Sequence, residues 1–133
     1  MTVTPSSATV STRFARRVFS LAGTYGVLTL APQYFLAERV GRDTPPPLTH
    51  LEYFYGFVGI ALAWQVAFLI IGRDPVRYRP LMIAAVLEKL TFGVPAIVLY
   101  AQHQLPPTVL GFGLIDLTLG GLFAMSYQRT RIE

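Results

Sequence analysis

The sequence predicts an all-α integral membrane protein, a bundle of four transmembrane helices with both termini cytoplasmic. Three observations carry this expectation. Of 133 residues, 53% are hydrophobic and only 14% are charged, against about 25% charged in an ordinary soluble domain. Four apolar stretches, over about residues 18–36, 51–72, 80–100 and 107–127, approach the roughly 20 residues that a helix needs to cross a bilayer. The basic residues gather on one side of these stretches, and Lys and Arg excess marks the cytoplasmic face.

The length allows a single domain. The chain has no cysteine, which excludes thiol–disulfide chemistry, cysteine-held metals and iron–sulfur clusters. Residues 1–12 are rich in Ser and Thr without apolar periodicity, and they read as a polar tail.

Arg13, Arg16 and Arg17 stand before the first stretch. The Arg16–Arg17 pair loosely resembles a twin-arginine export signal. The apolar run that follows exceeds signal-peptide length and lacks a clear small-x-small cleavage site, so the pair reads as a positive-inside anchor. Pro32 should bend or end this first span, because proline lacks the N–H that a helix interior needs. The connection after it, Gly41-Arg42-Asp43-Thr44-Pro45-Pro46-Pro47, is made of turn formers.

The second stretch, 51–72, carries small residues at Gly56, Gly59, Ala63 and Ala67. Small residues let helix backbones approach closely in a membrane. Gly72-Arg73-Asp74-Pro75 ends it, and proline there can open the next helix. The third stretch, 80–100, contains Pro95, which frees the Thr91 carbonyl and should kink the helix. Leu105-Pro106-Pro107 separates it from the fourth, 107–127, which carries Gly113, Gly120 and Gly121.

Arg73, Arg77 and Arg79 lie between the second and third stretches, and Arg129 and Arg131 follow the fourth. The opposite side has only Arg39 and Arg42. The net charge of +4 is therefore topogenic and lipid-directed rather than a nucleic-acid signal. Tyr34, Tyr53, Tyr55 and Tyr100 fall near the expected outer interface and Tyr78 and Tyr127 near the inner one, depths that suit amphipathic rings.

Glu88, Lys89 and Asp116 sit about midway along apolar stretches. An ionised side chain at that depth costs roughly 3 kcal/mol on insertion scales, so it persists only where it faces protein or water and finds a partner. The third and fourth spans share a short connection and should be antiparallel neighbours. Depth counting puts Lys89 and Asp116 at one level, within reach of each other. Glu88 is about 100° around the helix from Lys89 and is expected to point elsewhere, towards the second span, where Gln65 is its candidate partner. One cation then faces two carboxyls, and the surplus carboxyl is expected to be neutral if all share a dry pocket. Glu88, Lys89, Asp116 and Gln65 form the expected intramembrane polar cluster, either as glue between helices or as a ligand or proton site.

The remaining residues offer little chemistry. His50 and His103 lie in expected outer loops, too few for a metal centre and too shallow for a haem pair. Glu52 near the outer end can reach headgroups or water. Gly111-Phe112-Gly113 lies in an apolar run without the strand that a nucleotide fingerprint requires. No nucleophile triad or phosphate loop is present in the sequence.

The runs Leu51-Glu52-Tyr53-Phe54-Tyr55-Gly56-Phe57, Asp74-Pro75-Val76-Arg77-Tyr78-Arg79-Pro80 and Leu87-Glu88-Lys89-Leu90, with Asp116, resemble a group of small bacterial four-helix membrane proteins. The resemblance covers roughly residues 50–127 and brings no activity with it. The plan of four short spans with carboxylates inside is similar in topology alone to DoxX-like and emopamil-binding architectures. The sterol isomerases of the latter use an intramembrane histidine that this chain lacks.

The first functional expectation is a small non-enzymatic subunit or assembly factor of a larger membrane complex, respiratory or photosynthetic, or of a homo-oligomer, in the bacterial cytoplasmic membrane. The second is a lipophilic-ligand binder or isomerase-like enzyme using Glu88, Lys89 and Asp116. The third is a small proton-coupled transporter working as a dimer. No cofactor is expected beyond contact with lipid, quinone or pigment.

Overall fold

The computed structural model describes residues 7–130, with side chains from residue 12 onward. The described residues are all helix and connection. Helix α1 runs Ser7–Leu30, a 3-10 turn Ala31–Phe35, α2 Ala37–Asp43, α3 Leu51–Arg73, α4 Leu81–Ala101 and α5 Pro107–Arg129. Three of them, α3, α4 and α5, are long and apolar enough to cross a membrane, which indicates membrane integration. Their outward side chains agree. Leu21, Leu28, Ile60, Ile83 and Leu87 are largely exposed, a surface that soluble monomers rarely present.

The first expected span is built differently from the other three. Residues 1–6 and Arg131 lie outside the described residues, but residues 7–12 of the expected tail already belong to α1. The α-helix stops at Leu30, and Pro32 starts the 3-10 turn as one of its first residues. Without an N–H, Pro32 cannot bond back four residues, and its ring disfavours helical backbone at Ala31. The expected loop then contains α2, whose Arg39 and Asp43 pair across one helical turn at 3.6 Å on an exposed face.

In space the long helices follow the order α3, α1, α5, α4. Helix α1 packs on both α3 and α5, α4 packs on α5, and α3 and α4 barely meet. Close approach explains the tight pairs. A methyl added at Gly72 would stand 2.6 Å from Ser20 Oγ and 3.1 Å from Ser20 N, on α1. One added at Gly93 of α4 would stand 2.5 Å from Leu117 Cγ and 3.0 Å from the Gly113 carbonyl oxygen, on α5. The α3 stripe behaves otherwise. Gly56 has nothing within 4 Å of such a methyl, Gly59 meets only the Tyr34 hydroxyl, and Ala63 is exposed.

The core sits towards the end of the molecule where the arginines gather. Phe19, Phe68 and Phe123, from α1, α3 and α5, are fully buried together with Ala15, Ile71, Met82 and Ala85. The Phe19 and Phe123 rings stack 4.2 Å apart, and Phe68 stands edge-on to Phe123 at 4.9 Å. Such aromatic pairs add about 0.5–1.5 kcal/mol beyond their buried area.

At that same end, arginines close the helix termini. Arg16 Nη1 donates to the Arg73 carbonyl at 2.7 Å, and Arg79 Nε donates to the Tyr127 carbonyl at 2.9 Å. The Arg79 guanidinium also lies 3.7 Å over the Tyr127 ring. The last carbonyls of a helix lack intrahelical donors and carry partial negative charge, which cations at those positions offset.

Candidate intramembrane site

Helix α4 brings Lys89 to the α5 side because Gly120 leaves room there. A methyl at residue 120 would lie 3.2 Å from Lys89 Cβ. From that foothold the Lys89 side chain, 6% exposed, places Nζ 3.2 Å from Asp116 Oδ1 in a hydrogen bond. The same Nζ lies 3.4 Å from Glu88 Oε2 and 5.3 Å from the centre of the Phe68 ring. The ammonium is thus held by two carboxylates and an aromatic face, an arrangement that a buried cation needs.

Glu88 faces Phe57, Ile60 and Trp64 of α3, in line with its expected direction towards the second span, but it also pairs with Lys89, which that expectation does not allow. The two Cα–Cβ bonds do diverge, but the four-carbon lysine stem spans the gap. Glu88 Oε2 is buried 3.4 Å from the ammonium and lacks a well-aligned hydrogen bond among the described residues. Asp116 holds the ammonium by a hydrogen bond at 3.2 Å and Glu88 by the longer ion pair.

Gln65 does not join the cluster. Its Nε2 donates to the Ala61 carbonyl at 2.9 Å, and the residue is 3% exposed. Its amide occupies the space left by the missing side chain of Gly26 on α1. The rotation of α3 about its axis decides this. Trp64 turns towards α4, so Gln65, one residue on, turns towards α1. Gln65 thus misses Glu88, its expected partner, and the α3 residue beside the Lys89 ammonium is Phe68. Its signal was present in the sequence, since Phe57, Ala61, Trp64 and Phe68 recur at helical spacing.

Glu88 also lines a groove of about 550 Å³ between α3 and α4. Phe57, Ile60 and Trp64 form one wall, and Leu87, Thr91 and Phe92 flank Glu88 on the other. The Thr91 hydroxyl donates to the Glu88 carbonyl at 3.0 Å, so its proton is already used. Helix α4 continues through Pro95. The groove lies near the middle of both helices and opens outward past the exposed Phe57, Ile60 and Leu87. Its size suits a small organic molecule.

Among the described residues no group of three His, Asp or Glu could hold a metal ion. His50 Nδ1 lies 3.3 Å from Glu52 Oε1 on an exposed surface. His103 takes a left-handed backbone with φ of 57° just after α4. Comparison with protein-family models, with curated proteins and with solved structures finds no match. The functional reading rests on the site.

Proposed function

We propose that this chain is a four-span membrane protein, both termini cytoplasmic, that holds a lipophilic molecule at mid-depth in the α3–α4 groove. The observation that carries the reading is Glu88. Its carboxylate borders an apolar groove, and its Oε2 is buried without a hydrogen bond. That oxygen is paired with the Lys89 ammonium at 3.4 Å, and a carboxylate has acceptor sites beyond one such contact. A ligand that donates a hydrogen bond from the groove would use the remaining capacity.

The four-span reading draws support from α1. Its apolar part, residues 18–30, covers about 20 Å as α-helix, and the 3-10 turn adds about 10 Å. Together they match a hydrocarbon core of about 30 Å. The cytoplasmic placement draws support from Arg16, Arg73, Arg77 and Arg79, which share one end.

The test is native mass spectrometry of the full chain released from nanodiscs made with extracted bacterial lipid. A bound small molecule on the wild-type protein, absent from Glu88→Gln and from a groove-filling Ala61→Trp, is the expected result. A ligand-free wild type, or a ligand that both variants retain, would refute the reading.

A second reading, a subunit of a larger membrane complex or of a homo-oligomer, is favoured by the outward small residues. Among the described residues nothing lies within 4 Å of a methyl added at Gly56, Gly111 or Gly121, and helices associate in membranes through such surfaces. Gentle solubilisation at native expression followed by mass measurement tests it. A lone monomer would remove it.

A further inference from the structure

Charge and aromatic content in the groove point to a specific class of ligand. The ionisable groups around Glu88 can be enumerated. On its own helix there is Lys89, and across on α5 there is Asp116. The α3 wall contributes Phe57, Ile60, Ala61 and Trp64 and no titratable group. Helix α1 sends Gln65 its glycine gap and no charge to this side. Two carboxylates therefore share one ammonium, and the ammonium's hydrogen bond goes to Asp116. The trio thus carries one carboxyl more than its cation balances, and Glu88 is the member that lines the groove.

A net charge in a low-dielectric site needs a compensating charge. A proton supplies one. So does a cation small and apolar enough to enter from the acyl chains. The groove walls favour the latter, because Phe57, Trp64 and Phe92 supply aromatic faces around Glu88 and ring quadrupoles attract organic cations. A neutral ligand would gain the apolar contacts while Glu88 keeps its proton, so it would draw nothing from the carboxylate's charge.

We propose that the α3–α4 groove selects a lipophilic organic cation, which takes the place of a proton as the counter-charge to Glu88. The proposal rests on the groove-binding reading above and adds the chemical class. The Glu88 carboxyl's O–H bond breaks, its proton passes to water, and no other covalent bond changes. A cation enters and a proton leaves the carboxyl to solvent.

The experiment uses the full chain in nanodiscs and the chain's single tryptophan, Trp64, which forms part of the groove wall. Tetraphenylphosphonium is titrated against Trp64 fluorescence, with neutral triphenylmethane as the control. The expected result is saturable quenching by the cation, binding at least tenfold weaker for the neutral compound, and proton release on cation binding in weakly buffered solution. Because proton and cation compete for one carboxylate, the cation's apparent affinity should fall as pH falls, by up to about tenfold per unit. Glu88→Gln should lose the discrimination between the two compounds.

Equal affinity for cation and neutral compound, without proton release, would overturn the cation inference and leave a lipophilic groove standing. No saturable response to either compound, on protein that is monodisperse and helical, would remove the groove reading itself. The pH series needs only wild-type protein, so an unfolded Glu88→Gln does not protect the inference. An affinity independent of pH would overturn it.

Discussion

Gly120 of α5 lies beneath Lys89 of α4, and a methyl group on residue 120 would come within 3.2 Å of Lys89 Cβ. This approach lets the lysine stem run along α5 and deliver its ammonium to Asp116 four residues earlier, at 3.2 Å. Gly120→Ala should fit after a shift of a few tenths of an ångström and change stability by about 1 kcal/mol or less, because alanine's helix preference offsets the crowding. Gly120→Val should force the helices apart and cost about 1–3 kcal/mol. Thermal unfolding in detergent measures both, and similar Tm values for Val and wild type would show that the approach is loose.

Lys89→Met removes the shared cation and leaves two half-buried carboxyls without their common partner. Breaking a buried pair from one side costs on the order of 3 kcal/mol. Pairing Lys89→Met with Asp116→Leu removes the second charge and should recover most of the loss. A double variant no more stable than the single one would show that the Lys89–Asp116 contact is not what holds α4 to α5.

The stacked rings join three helices at once, so Phe123→Ala should be among the most damaging apolar substitutions. It opens a cavity against both Phe19 and Phe68, and aromatic-to-alanine changes in cores cost about 3–5 kcal/mol. Phe112→Ala on the same helix is the control, because Phe112 is half exposed. Equal losses in the two variants would contradict the placement of the core.

Gly26→Leu should expel the Gln65 amide from its gap on α1. With its Ala61 carbonyl bond lost, Gln65 would be left to bury an unpaired amide, at about 1–3 kcal/mol. Gly56→Leu, on the same apolar scale but facing open space, should be nearly neutral in the isolated chain. A Gly56→Leu variant that disrupts a native oligomer while the isolated chain keeps its Tm would support the subunit reading.

Reporter fusions test the sidedness. A fluorescent protein that folds only in the cytoplasm should be active at either terminus, and an alkaline phosphatase that works only outside should be active at residue 103. The reversed pattern would overturn the assignment made from the arginines.

The sequence allowed the three long apolar helices to be read closely, because composition alone distinguishes α3, α4 and α5 from connections. Helix α1 was harder. Its first turns carry Arg13, Arg16 and Arg17, which hide helix from a hydropathy reading, and Pro32 divides what reads as one apolar run into two helical types. Helix α2 is only seven residues long and lies among glycine and prolines, so it reads as loop.

In the site, depth counting puts Lys89 and Asp116 at one level, and the two are in contact. Rotation about a helix axis was not legible to the same degree. Whether Trp64 or Gln65 faces α4 depends on the fit of Gly23, Gly26 and Gly72 between α1 and α3, a property of two helices together. The reach of a lysine stem back to its own neighbour Glu88 is not legible on a helical wheel, which gives a side chain's direction and not its length.

Helices α3 and α1, α1 and α5, and α5 and α4 interlock, whereas α3 and α4 scarcely touch. The bundle is therefore latched on three flanks and unlatched on the fourth, the flank where Glu88 waits. On the proposed reading, a guest dissolved among acyl chains would reach the carboxylate sideways without crossing water. Occupancy would then follow the guest's enrichment in the lipid phase, and a compound scarce in the aqueous phase would still fill the seam.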